Sequence, residues 1–153
     1  MKQVLVRQYE YVKSSRTVLL QLCASIDPNL FIKEVAGFGR GGSVRNMLVH
    51  MNNTYQQWTG NHCLGRQMKL HEYADFPDLQ SCISLFKESD LLVDEVLNVF
   101  EYRLLQEIER NGKVASPLKI ITHVFTHEYH HKGQIASMCR MLGYVPPDTD
   151  IIR

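Results

Sequence analysis

Leu5, Val12, Leu19 and Ile26 recur every seven residues at the start of the chain, and Leu79, Phe86, Val93 and Phe100 repeat that spacing in its second half. Tyr9 and Leu22 fill the intermediate positions of the first set, Ile83 and Leu97 those of the second. Side chains so spaced share one stripe of an α-helix, so each segment must bury that stripe against something else. Two further segments read the same way. Ser43 can cap a helix whose buried face carries Val44, Leu48, Met51, Tyr55 and Trp58, and Ser116-Pro117 opens another that runs to Leu142. Gly143 suits the left-handed residue after that helix, and Pro146-Pro147 prevent its resumption.

Four amphipathic helices with one wide apolar stripe each bury one another as a bundle, so the expected fold is all-α, a four-helix bundle. Asp27-Pro28 is read as ending the first helix, and the glycine-rich stretch 35–42 as a loop. From Thr59 to Pro77 the periodicity lapses and the composition turns polar. This predicts a long connection between helices 2 and 3, holding a short helical turn, and a topology other than simple up-down-up-down. Pro77-Asp78 opens the third helix, and Asn111-Gly112 is a turn signal for a small hairpin or a loop.

At 153 residues the expectation is one domain, 1–153, with a substantial core. Seventeen basic against 16 acidic residues leave a formal charge of +1, which gives no electrostatic reason to expect nucleic acid or an anionic membrane as partner. The short basic cluster from Arg40 to Arg45 is not continued into a stripe. No run of about 18 apolar residues appears, and Lys2 interrupts any signal-like start, so the expected location is cytoplasmic. Cys23, Cys63, Cys82 and Cys139 are far apart and form no CxxC pair, so free thiols are expected.

Chemistry concentrates in residues 121–135, where four of the seven histidines fall. Histidines four apart stack on one helical face, which gives the pairs His123/His127 and His127/His131. A helical wheel centred on Ile121, Val124, Ile135, Met138 and Leu142 puts His131 about 30° from the middle of the buried face and His127 about 70°. His123 falls about 110° off, as a second-shell or edge residue, and His130 about 130° off, toward solvent. Two imidazoles near the apolar stripe need partners for four ring nitrogens, and one metal ion would satisfy one on each ring. The alternative is a pair of hydrogen-bonded core histidines.

A third ligand must come from another helix. His50 is the best candidate because it lies in one, although it sits about 110° from the centre of that helix's apolar face. His62 and His71 fall in the long connection and are expected to be exposed, with either open as a replacement. Glu128 lies about 30° from the buried centre, where a carboxylate needs a partner. It can orient a ligand, bind metal, act as a base, or simply reach solvent. Glu128-x-x-His131 matches one element of a di-iron carboxylate bundle, but the second element and the bridging glutamates are missing.

Taken together, Gly42-Ser-Val-Arg-Asn-Met-Leu-Val-His50, Trp58, His123-x3-His127-x3-His131-Lys-Gly-Gln-Ile135 and Leu142-Gly143-x2-Pro-Pro-Asp-x-Asp150 resemble the DinB-like superfamily over nearly the whole chain. The resemblance implies a four-helix bundle, often a homodimer, that binds one divalent ion, reported as zinc or nickel. By matching position the metal ligands are His50, His127 and His131. Some relatives are S-transferases or isomerases that use a low-molecular-weight thiol.

Three histidines leave a coordination position open, which points to an enzyme. The metal, with iron also compatible, would activate a thiol or water for transfer or hydrolysis on a small electrophilic substrate, with Glu128 or His123 as catalytic proton shuttle or second-shell partner. The alternative functions are a non-catalytic stress-response module that binds metal, and a plain structural bundle.

Overall fold

Each predicted helix forms, and local chemistry explains most of its boundaries. The computed structural model describes residues 1–39 and 42–153; Arg40 and Gly41, from the predicted loop and basic cluster, lie outside the described residues. Helix α1 spans Lys2–Ala24, and Asp27 then caps a separate short helix, α2 (Pro28–Phe31), by accepting from the Asn29 amide. Asp27-Pro28 therefore starts an element; α1 has already ended. Helix α3 (Val44–Tyr55) is capped by Ser43, whose hydroxyl accepts from the Asn46 amide.

Helix α4 (Leu79–Val99) begins with a reciprocal cap between Asp78 and Ser81. Strands β1 (Ile108–Arg110) and β2 (Lys113–Ala115) pair antiparallel, with Glu109 opposite Val114. The hairpin turns at Asn111 and Gly112, both left-handed, as a two-residue type I′ connection requires. Helix α5 (Pro117–Met141) starts under the Ser116 cap and stops where Gly143 takes φ 91°.

The second helix does not lapse at Thr59. It continues through Gln56–Cys63 as a π-helical segment, so the extra residue per turn shifts the apolar phase beyond Tyr55. Thr59, Gly60, His62 and Cys63 turn inward as a result, and Trp58 is only half-buried. The true connection covers residues 64–78 and holds one 3₁₀ turn, Tyr73–Asp75.

Two apolar clusters show how the helices run. One gathers Leu19 and Leu22 from the end of α1, Val44 and Leu48 from the start of α3, Cys82 and Phe86 from the start of α4, and Ile135 and Met138 from the end of α5. The other gathers the opposite ends: Leu5 and Tyr9, Tyr55 and Cys63, Val93 and Leu97, Ile120 and Val124. Helices α1 and α5 are thus parallel to each other and antiparallel to α3 and α4. The main packing joins α3 to α4 and α5, and α1 to α4 and α5, leaving α1 diagonal to α3. Parallel neighbours α3 and α4 can be joined only by a segment that returns along the bundle, which is why the connection 64–78 is long. The topology is not up-down-up-down.

Between the two clusters lies a polar layer supplied by all four long helices: Ser15 and Arg16, Asn52, Ser89, and Glu128 and Lys132, every one buried. Among the described residues no helix is long and apolar enough to cross a membrane.

Candidate metal centre

His50 on α3 and His127 and His131 on α5 meet where these neighbouring helices pack. One ring nitrogen from each lies within 4.8 Å of the other two. Ring centroids are 4.7 Å apart for His50 and His131, 5.0 Å for His50 and His127, and 4.2 Å for His127 and His131. The Nε2 atoms of His127 and His131 are 2.9 Å apart. Tetrahedral zinc at its usual Zn–N distance spaces its ligand nitrogens about 3.3 Å apart, a value within the range the triad spans. Small ring rotations bridge the difference, so the donor set fits an ion of this kind.

The electrostatics of the triad suit ligation. Burial drives the His127 imidazole down to about 3, and the nearby histidines push the same way. Burial also lowers His131, to about 4, and lowers His50. A metal ligand must be a neutral imidazole, and these three resist protonation. Gln134 Oε1 lies 2.6 Å from His131 Nδ1. With the Nδ1 proton donated there, the Nε2 lone pair of His131 is free for the centre of the cluster. Thr54 Oγ1 lies 3.3 Å from His127 Nε2 and donates to the His50 carbonyl at 3.1 Å.

The helical wheel ranked the α5 histidines in the observed order: His131 buried, His127 half-buried, His123 and His130 exposed. His50 is half-buried, as a flank residue should be. His123 stands beside the triad, its ring 5.6 Å from His127 and 5.4 Å from Trp58. His62 and His71 are not exposed as expected. His62 is 4% exposed, on the inner side of the π-helical segment, and its Nε2 reaches the Ile108 carbonyl at 3.2 Å. His71 is half-buried: its backbone exchanges hydrogen bonds with the Asn53 side chain, and the Gln56 amide reaches its ring at 2.6 Å. Neither belongs to the three-histidine cluster.

Glu128 is 4% exposed, as its wheel position required, and it is fully partnered. Arg16 Nε donates to Oε1 at 2.8 Å and Nη2 to Oε2 at 2.9 Å. The Tyr55 hydroxyl donates to Oε2 at 2.6 Å. Arg16 also donates from Nη1 to Asp90 at 2.6 Å, and the Tyr9 hydroxyl donates to the same oxygen at 2.5 Å. Burial alone would lower the pKa of Arg16, but the Glu128 carboxylate, together with Tyr9 and Tyr55, outweighs this and holds the guanidinium charged.

Sequence reasoning assigned no role to Gln134 or Thr54. The i,i+3 spacing of His131 and Gln134 was an available signal, since residues so placed are neighbours on a helix. Thr54 offered none, because its contact with His127 joins two helices.

Fold and cluster together define a helical bundle with a three-histidine site able to hold a metal ion. The chain belongs to the DinB family, whose model matches residues 1–153, the full sequence. No curated protein matches it.

Proposed function

We propose that this chain is a metal-dependent enzyme acting on a small electrophilic substrate. In this reading His50, His127 and His131 hold one divalent ion, zinc or nickel, with iron also accommodated because imidazole suits all three. The observation that carries it is the convergence of three protonation-resistant imidazoles from two helices, one ring nitrogen of each within 4.8 Å of the other two. Three protein ligands leave room for a substrate, unlike the four of a structural zinc site. When bound, the ion would serve as a Lewis acid that makes a thiol or a water nucleophilic near neutral pH. The reaction class is thiol transfer or hydrolysis, and a low-molecular-weight thiol is the favoured co-substrate by family resemblance.

The remaining groups divide by position. His123, exposed and next to His127, is placed to take or return a proton at its ring. Glu128 acts as a positioning residue, because both its oxygens already accept from Arg16 and Tyr55. It fixes the height and rotation of α5, and with them the directions of His127 and His131. The same reading takes residues 1–153 as one domain working in the cytoplasm as a homodimer. The free, buried state of all four cysteines accords with a reducing compartment; the dimer rests on the family resemblance.

Elemental analysis of untagged protein beside His127→Ala/His131→Ala tests the site. About one equivalent in the parent and none in the variant is expected for a single three-histidine centre. Loaded protein should then consume a thiol with chlorodinitrobenzene, or hydrolyse an activated ester. A parent chain that takes up neither zinc nor nickel removes the metal reading. Stoichiometric metal with no turnover moves the protein to the non-catalytic alternative.

A further inference from the structure

A cleft of about 330 Å³ opens beside the triad between the β2 strand and the first turn of α5. Its apolar surface comes from Trp58, Val114 and Ile120, and His123 forms the wall toward His127. Two exposed ammonium groups, Lys113 and Lys119, line the same cleft. Among the described residues neither is in an ion pair. Lys113 rests instead over the face of Trp58, 5.1 Å from the ring centroid. A ring face is a weak partner for an ammonium, and a carboxylate or phosphate competes with it well. Both lysines are held by rigid elements, one on a tight hairpin and the other on the first turn of a 25-residue helix, whose N-terminal end also favours negative charge.

We infer that this cleft binds a small molecule with an apolar body and an anionic group, the body on Trp58 and Val114 and the anion between Lys113 and Lys119. The end of the molecule away from the lysines then lies at His123, next to the triad. This names the substrate class of the proposed enzyme and rests on that reading for the word substrate. Binding itself needs no metal. The volume suits a compact molecule, at the lower end of ordinary ligand sites.

Trp58 is the only tryptophan in the chain, so its fluorescence reports on this cleft alone. The experiment titrates metal-free and metal-loaded protein with cyclohexanecarboxylate, cyclohexylphosphonate, and the uncharged cyclohexanecarboxamide. At least one anion should give a saturable change and bind about fivefold or more tighter than the amide, as expected for ion pairs at a partly exposed site. Whichever anion binds tighter identifies the headgroup as carboxylate or phosphate. Lys113→Gln/Lys119→Gln should bring anion and amide to equal affinity and leave thermal unfolding unchanged, since both side chains are exposed. Equal affinity for anion and amide in the parent chain, or a preference that survives the double substitution, would overturn the inference. The two readings fail separately: anion binding without metal uptake sinks the metal centre, and metal uptake without anion binding sinks the cleft.

Discussion

Arg16 and Glu128 face each other across the middle of the bundle, 112 residues apart in sequence, joined by two parallel hydrogen bonds of 2.8 and 2.9 Å. Both side chains are 5% exposed. The pair ties α1 to α5 at the level of the triad, and Tyr55 extends it to α3. Removing Arg16 leaves the Glu128 carboxylate buried without a counter-charge, and removing Glu128 leaves the buried Arg16 guanidinium with only the half-buried Asp90. Glu128→Gln or Arg16→Met should therefore cost about 3–5 kcal/mol of stability, whereas replacing both with apolar residues should recover much of the loss. Urea unfolding of the two single variants and the double variant checks this. Additive losses in the double variant would show that the pair does not act as a unit.

His131 is held by Gln134, and the metal reading gives that contact a purpose. Gln134→Leu removes the acceptor for His131 Nδ1, freeing the ring to turn and to change tautomer. Metal affinity should fall about 10–100-fold, the usual effect of losing an orienting partner. Unfolding of the metal-free protein should barely change, since Gln134 is half-buried and its side chain makes no other hydrogen bond among the described residues. A competition titration with a chromophoric chelator measures the first. An unchanged affinity would mean that packing alone orients His131.

The triad also predicts how the metal-free protein responds to acid. Its histidines ordinarily titrate near 6.5, but folded His131 is lowered to about 4 and His127 to about 3, first by burial. Between these values and 6.5 the unfolded chain binds more protons than the folded one. Stability is thus fully present above 6.5 and is lost as pH falls toward 4 and then 3. The urea midpoint of metal-free protein should drop between pH 6.5 and 5, before most carboxylates titrate. His127→Ala/His131→Ala should flatten that stretch. Parallel curves for parent and variant would show that the two histidines do not carry the effect.

What the sequence disclosed follows from what periodicity measures. A wheel averages burial around one helix, so it ranked His131, His127 and His130 correctly and found the inward position of Glu128. It could not name Arg16 as the partner of Glu128, because nothing local links residues on two helices 112 positions apart. It placed His50 on a flank for a sound reason: a ligand at a seam between two helices stands off the centre of its own apolar face. The family resemblance, not the wheel, singled His50 out. The lapse of pattern from Thr59 looked like a loop because π-helical winding breaks a period tuned to 3.6 residues, and this hid the burial of His62.

The hairpin turn offers a way to perturb the cleft without touching the triad. Asn111 and Gly112 sit at φ 53° and 71°, and Gly112 has open space where a side chain would go. A methyl group there meets no neighbour, so Gly112→Ala is opposed only by the left-handed backbone, at about 1–2 kcal/mol. That strain falls on the strand that carries Lys113 and Val114 to the cleft and leads into the Ser116 cap of α5. His50, His127 and His131 lie farther along α3 and α5, away from the turn. Gly112→Ala should therefore weaken anion binding at Trp58 while leaving metal content at the parent level. Fluorescence titration and elemental analysis of one preparation decide it. Loss of metal together with the anion would mean that hairpin and triad form one cooperative unit, and that the cleft cannot be altered by itself.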